Sequence, residues 1–119
     1  MIEYEKVLGA FSRLAELGET EARRQEPLVQ LAIAEVAVML RPEACTPENH
    51  DRICHACAAF AYDKYAVVQA TREQEFSAGD IRITPMSADR VMIARQLRDD
   101  ALGSIADLVE TNRFAFLQV

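Results

Sequence analysis

The sequence lacks several features that would indicate particular protein classes. Its four glycines are scattered singly along 119 residues, which excludes a glycine-rich phosphate loop. The longest apolar run falls short of the roughly 18 residues of a membrane span, because Gln30 and Glu35 interrupt it. The first residues have no basic and apolar leader. Nothing therefore marks the chain for secretion, and we expect synthesis in the cytoplasm.

A basic patch and an even set of cysteines are also missing. The chain has 13 Lys and Arg against 19 Asp and Glu, a net charge of −6, and the basic residues are interspersed with acids. We therefore expect no grip on DNA through its phosphates, although an acidic surface would let a duplex pass without adhering. Three cysteines are an odd number, which favours reduced thiols over a disulfide framework.

Apolar residues at helical spacing are the main pattern in the sequence. Apolar residues recur at spacings of three and four along residues 3–17, 27–40, 46–74 and 87–110. The third stretch opens at Thr46 and Pro47, a hydroxyl N-cap followed by a proline that needs no amide partner. It is so apolar around its circumference that we expect other helices to wrap it. The second stretch leaves Gln30 and Glu35 as its clearly polar residues, so we expect it to pack on more than one side.

The period changes to two around residue 80. A turn signal at residues 78–80 precedes β-branched alternation at 81–84, so residues 75–77 and 81–83 are predicted to form a short β-hairpin. Two strands alone are marginally stable, and the hairpin should lean on the helices or on another chain. The predicted fold is mostly α. It is one domain over residues 1–119, a small bundle of about four helices with a short β-hairpin between the last two long helices.

One cluster could hold a metal ion or a reactive thiol. His50, Cys54 and Cys57 fall at i, i+4 and i+7 of a helix, and Cys45 precedes them. However, a Cys-x-x-Cys pair inside an uninterrupted helix lacks the turn of a zinc ribbon, and no second pair follows. Small cysteines among alanines also suit close helix packing. We expect a core role, with a metal site or a redox thiol as alternatives.

The sequence contains no other recognisable catalytic motif. Neither Ser77 nor Ser87 lies in a nucleophile-elbow pattern, and Tyr62 and Tyr65 are expected in the core or an interface. The prediction is a protein that is not an enzyme, with no catalytic, cofactor-binding or metal-binding residue.

The last residues are apolar and alternating. Large apolar side chains stand at Phe114, Phe116, Leu117 and Val119. Two interpretations of the segment 113–119 stay open. It could fold back onto its own core, or it could dock on another subunit by adding to a groove or a sheet edge.

Two adjoining segments carry a family resemblance. They are residues 49–66, NHDRICHACAAFAYDKYA, and residues 72–83, REQEFSAGDIRI. Together they resemble the head-tail connector (adaptor) proteins of long-tailed bacteriophages and prophages. In those small helical proteins an alanine- and tyrosine-rich helix precedes a phenylalanine, a glycine-aspartate turn and a short alternating strand. Asp63 departs from the pattern, since an apolar or aromatic residue is expected at its position.

The resemblance implies a structural role in the virion. Copies would assemble as a ring beneath the portal of the filled capsid and join it to the tail while DNA passes through the centre. The implied partners are other copies of the chain, the portal protein and a tail-side stopper or tail protein. Sequence-specific nucleic acid and membranes are not among them. The protein would reside in the host cytoplasm during assembly and then at the capsid-tail junction.

The expected contact surfaces are the hairpin, the exposed side of the last helix and the apolar end. Their residues are Phe76, Gly79, Asp80, Ile81, Arg82, Ile83, Arg95, Arg98, Phe114, Phe116, Leu117 and Val119. Two other functions stay open. One is a small cytoplasmic helical regulator that binds one protein partner, and the other is a metal-binding or redox protein that uses the Cys/His cluster.

Overall fold

A computed structural model describes the backbone of residues 2–76 and 85–110, and the side chains of 2–72 and 88–110. Within these residues the helices are α1 (Tyr4–Ala15), α2 (Glu19–Arg24), α3 (Glu26–Met39), α4 (His50–Phe76) and α5 (Pro85–Ser104), followed by a short 3₁₀ turn, Ala106–Leu108. The predicted, mostly helical fold class is confirmed.

Helix α4 is the centre of the bundle, and it packs against α1, α3 and α5. Its buried face is lined by small side chains, which are Ala56, Cys57, Ala58, Ala59, Ala61 and Ala66. Small residues let neighbouring helices approach closely, so that each contributes its own larger side chains to the core. Phe11 of α1, for example, packs edge-on against Tyr65 with ring centroids 5.6 Å apart. The prediction that other helices wrap this stretch is confirmed.

Among the described residues one face of α3 is covered, so they do not support the prediction that it packs on more than one side. Val29, Ala32 and Val36 are buried, whereas Leu31 and Val38 are exposed. The apolar composition of a helix does not itself set how many neighbours it has. The number of neighbouring helices that reach it decides which faces are covered.

The ends of two helices differ from the sequence prediction. Helix α4 begins at His50 because residues 47–49 form a turn, in which the amide of Asn49 donates to the carbonyl of Thr46 at 3.0 Å. Helix α1 ends at Ala15, and the next residue, Glu16, adopts the left-handed conformation with a φ of 55°. Gly18, predicted to end α1, instead precedes α2.

The predicted β-hairpin is not supported. Residues 75 and 76 belong to α4, so the first predicted strand is wrong there. Arg, Glu and Gln at residues 72–75 are good helix formers, and they extend the helix to the edge of the Ala-Gly-Asp turn signal. The described residues contain no strand. Residue 77 and the second predicted strand, 81–83, lie outside them.

The chain after α5 returns to the end of α3. Helix α5 ends at Ser104, earlier than the predicted residue 110. Leu40 and Val109 then form an isolated antiparallel bridge, in which the amide of Arg41 donates to the carbonyl of Leu108 at 2.9 Å. The amide of Glu110 donates to the carbonyl of Met39 at 3.0 Å. These hydrogen bonds hold the chain at residue 110 beside the end of α3.

The small side chains of α4 provide a test of the packing. Ala61 is fully buried, so Ala61→Leu should lower the free energy of unfolding by about 1–3 kcal/mol through overpacking. The same change at exposed Ala37 on α3 should alter it by less than about 0.5 kcal/mol. Urea unfolding followed by circular dichroism measures both. Equal effects at the two positions would contradict the packing described for α4.

Candidate functional site

Helices α4 and α5 form an antiparallel hairpin. Near the start of α4 and the end of α5, the Arg52 guanidinium donates to the carbonyl of Ser104 at 3.0 Å and pairs with Asp107 at 3.1 Å. Further along, Asp63 of α4 meets Arg98 of α5. Residues of α4 with rising numbers therefore lie beside residues of α5 with falling numbers. The far end of this hairpin is formed by the end of α4 and the start of α5.

The far end of the hairpin extends past the core. Among the side chains that the structure describes, Ala66 is the last buried one of α4 and Ala94 is the first buried one of α5. Among the described side chains at 67–72 and 88–93, none is buried. We call residues 67–76 and 85–93 the arm. In this part of the two helices the described side chains are exposed or half-buried.

The arm carries exposed apolar side chains on both helices. Met92 is 70% exposed and Ile93 is 58% exposed, and Val67 and Val68 on α4 are also exposed. Single exposed apolar residues are ordinary, but four on one small extension mark a contact site. Each such side chain, once buried by a partner, would contribute about 1.5–3 kcal/mol. The arm is therefore the candidate functional site, as a protein-binding surface.

A buried carboxylate lies at the base of the arm. Asp63 is 6% exposed, and its Oδ2 accepts a hydrogen bond from Arg98 Nη1 at 3.3 Å. Its Oδ1 lies 3.5 Å from Arg95 Nε and accepts no hydrogen bond in the described structure. A buried ionised carboxylate is costly unless cations compensate it, so Arg95 and Arg98 hold α5 against α4 at this point.

Arg98 is itself held in place from two directions. Its guanidinium donates to Asp99 Oδ1 at 3.0 Å, and it lies 5.9 Å from the centroid of the Phe60 ring. Asp63, which departs from the connector sequence pattern, thus has its partners on α5. An apolar residue at position 63 would leave these two arginines without the buried anion that they share.

The predicted contact residues are distributed unevenly. Arg95 and Arg98 lie at the base of the arm, where both face Asp63. Phe76 is the last residue of α4. The others, which are Gly79, Asp80, Ile81, Arg82, Ile83, Phe114, Phe116, Leu117 and Val119, lie outside the described residues. A role in partner contact for all of these residues stays a prediction.

Sequence reasoning missed the apolar residues of the arm. Helical spacing predicts that Val67 and Val68 lie on the apolar stripe of their helix, yet both are exposed. A signal was available at residues 91–94, which are four consecutive apolar residues. Four successive positions span about 300° of a helix, so they cannot all face one core. Met92 and Ile93 are the two that face away from it.

The fold brings only some residues of the Cys/His cluster close to one another. His50 Nε2 lies 3.8 Å from Cys54 Sγ, while His50 Nδ1 lies 3.5 Å from the ammonium of Lys6. Cys57, one turn further along, is completely buried, and Cys45 is exposed. Among the described residues, no group of three or more His, Cys, Asp or Glu side chains is placed to hold a metal ion.

Burial sets the chemistry of the two helical cysteines. Loss of solvent around the thiol raises the pKa of Cys57 from 9.0 to about 12 and also raises the pKa of Cys54. Because the thiolate is the nucleophile, both groups are poorly reactive at neutral pH. Their positions fit the core packing role that was expected for them.

Comparisons with known proteins give no relative for this chain. No protein-family model, curated protein sequence or solved structure matches it. In the described part of the chain, none of the helices has both the length and the hydropathy needed to cross a membrane.

Removing Arg98 and removing Asp63 should lower the free energy of unfolding by different amounts. Arg98→Ala leaves the buried carboxylate with the more distant Arg95, and should lower the free energy of unfolding by about 1–3 kcal/mol. Asp63→Ala should cost less, because the arginines can turn toward water. Arg24→Ala, which breaks an exposed pair with Glu21, is the control and should have little effect. A larger loss for Asp63→Ala than for Arg98→Ala would contradict this assignment.

The cysteines should differ in their reaction with a thiol reagent. At about pH 8 in the folded protein, exposed Cys45 should react, while Cys54 and Cys57 should react only on unfolding. A chromogenic disulfide reagent should therefore titrate one thiol per folded chain and three in denaturant. Cys45→Ser should abolish the fast reaction. Fast modification that persists in this variant would show that a helical cysteine is reactive after all.

Proposed function

We propose that this chain is a head-tail connector subunit, a structural protein that assembles as a ring beneath a viral portal. The proposal starts from the resemblance of residues 49–66 and 72–83 to connector proteins. The first of these segments lies mainly in the central helix α4, and the second begins at the end of α4. The segments that carry the resemblance are thus the ones that form the bundle centre and lead into the arm.

The arm is the observation that carries the proposal. A ring of identical subunits needs a surface on each copy that fits a different surface of the next. Exposed Val67, Val68, Met92 and Ile93 give the arm an apolar surface, and the Asp63 cluster anchors its base to the bundle. An extension of this kind can reach a neighbouring copy or a portal while the rest of the bundle stays unchanged.

The proposed partners follow from this role. They are other copies of the chain, the portal protein and a tail-side stopper or tail protein. DNA would pass through the centre of the ring without being bound, and the net charge of −6 supports passage over adhesion. Assembly would take place in the host cytoplasm and end at the capsid-tail junction of the virion. The role requires no catalysis by the chain.

The mass of the protein in solution tests the proposal directly. Light scattering over a wide concentration range, with and without the portal protein of the same phage or prophage, should show either a ring-sized species or a monomer that joins the portal. A tight dimer, or a monomer indifferent to the portal, would overturn the connector role. A one-to-one complex with a non-viral protein would instead favour a small helical regulator.

Charge substitution on the arm should prevent this assembly. Met92→Glu, and separately Ile93→Glu, places a charge on the apolar surface, and each should weaken ring formation or portal binding at least tenfold because about 1.5 kcal/mol or more is lost. Thr20→Glu adds the same charge at an exposed site on α2 and should have no effect. Circular dichroism checks that all three variants fold. Assembly that tolerates both arm charges would contradict the role of the arm.

A further inference from the structure

Helix α3 carries a second exposed apolar surface, separate from the arm. Pro27, Leu31, Ala34 and Val38 recur at spacings of three and four and are all exposed, with Leu31 54% and Val38 61% exposed. We call these residues the outer face of α3. It contains no charged residue. Glu35, which flanks it, pairs with Lys64 of α4 at 2.6 Å.

The described chain ends beside the last residue of α3. Glu110 donates its amide to the carbonyl of Met39, the last residue of α3, and the Leu40 and Val109 bridge is antiparallel. In an antiparallel pair, one chain advances as the other recedes. At Glu110 the described chain is therefore directed toward Val38 and the start of α3.

The nine residues 111–119 match the surface in length and chemistry. An extended chain of nine residues spans up to about 30 Å, whereas the 14 residues of α3 span about 21 Å. The segment has a single charged residue, Arg113, and four large apolar ones. These are Phe114, Phe116, Leu117 and Val119. It can thus run along the whole outer face and cover it with apolar side chains.

The area of the outer face favours a tethered occupant over a second copy. A surface about 21 Å long and about 10 Å wide gives a footprint of roughly 200 Å². Stable protein interfaces bury about 800 Å² on each partner, so two such faces are too small to hold a dimer. A segment already attached at Glu110 meets the face at an effective concentration on the order of millimolar and needs far less area.

We propose that residues 111–119 lie along the outer face of α3 in the same subunit and cover Leu31 and Val38. This inference concerns the free subunit and does not depend on the proposed ring. The docking of residues 113–119 on a neighbour or a portal, predicted from the sequence, would apply to the assembled state. The same apolar segment would then leave α3 when a larger partner is present.

The absence of tryptophan from the chain provides a clean reporter. In Phe116→Trp, the emission of the folded protein should be blue-shifted from that of the same variant in urea, and acrylamide should quench it weakly. Adding Leu31→Lys should move the emission toward the unfolded value and increase quenching. Thr20→Lys, the same charge at an exposed site on α2, should leave the emission unchanged. Phe114→Trp serves as a second reporter if position 116 tolerates tryptophan poorly.

A mixing experiment distinguishes the same subunit from a neighbour. The Phe116→Trp chain is refolded with an excess of the Leu31→Lys chain, so that most neighbours lack the apolar face. Emission that stays blue-shifted supports docking within one subunit, and emission that shifts to red overturns it in favour of a second copy. Two further outcomes would overturn the inference. One is solvent-exposed emission from both Phe116→Trp and Phe114→Trp without any other substitution. The other is a blue shift that Leu31→Lys does not change.

Discussion

Close packing against the small side chains of α4 is the interaction on which the rest of this structure depends. Between Ala56 and Ala66 the helix presents mostly alanine and cysteine to its neighbours, so α1, α3 and α5 can all approach it. The core is completed by larger side chains of the neighbouring helices, such as Phe11 and Val36, and by Ile53 and Phe60 of α4 itself. After Ala66 the described side chains of α4 are no longer buried.

This limit divides the α4–α5 hairpin into two parts with different environments. Up to Ala66 and from Ala94 onward the hairpin belongs to the core, and Asp63 joins the two helices through Arg95 and Arg98. Beyond that point the described side chains of the arm are exposed or half-buried, and four of the exposed ones are large and apolar. A charged contact at the base orients the arm, and the apolar surface beyond it is available to a partner.

Much of the fold could be predicted from helical periodicity, but the arm could not. The positions of four helices follow from apolar spacing, and the wrapped character of α4 follows from its composition. The apolar run at 91–94 indicates that some of its residues must face away from the core, but the neighbouring helices decide that these are Met92 and Ile93. The pairing of Asp63 with Arg98 spans 35 positions, so no short pattern reveals it. The predicted first strand failed because helix formers continue α4 through residue 76.

Amide hydrogen exchange of the free subunit and of its assembly tests the division of the hairpin most directly. In the free subunit we expect residues 53–66 and 94–102 to exchange only through global unfolding, while residues 67–72 and 88–93 exchange faster because none of their side chains is buried. On ring or portal assembly the arm should become protected. Arm amides as slow as the core in the free subunit, or unchanged by assembly, would contradict the arm as a surface that waits for a partner.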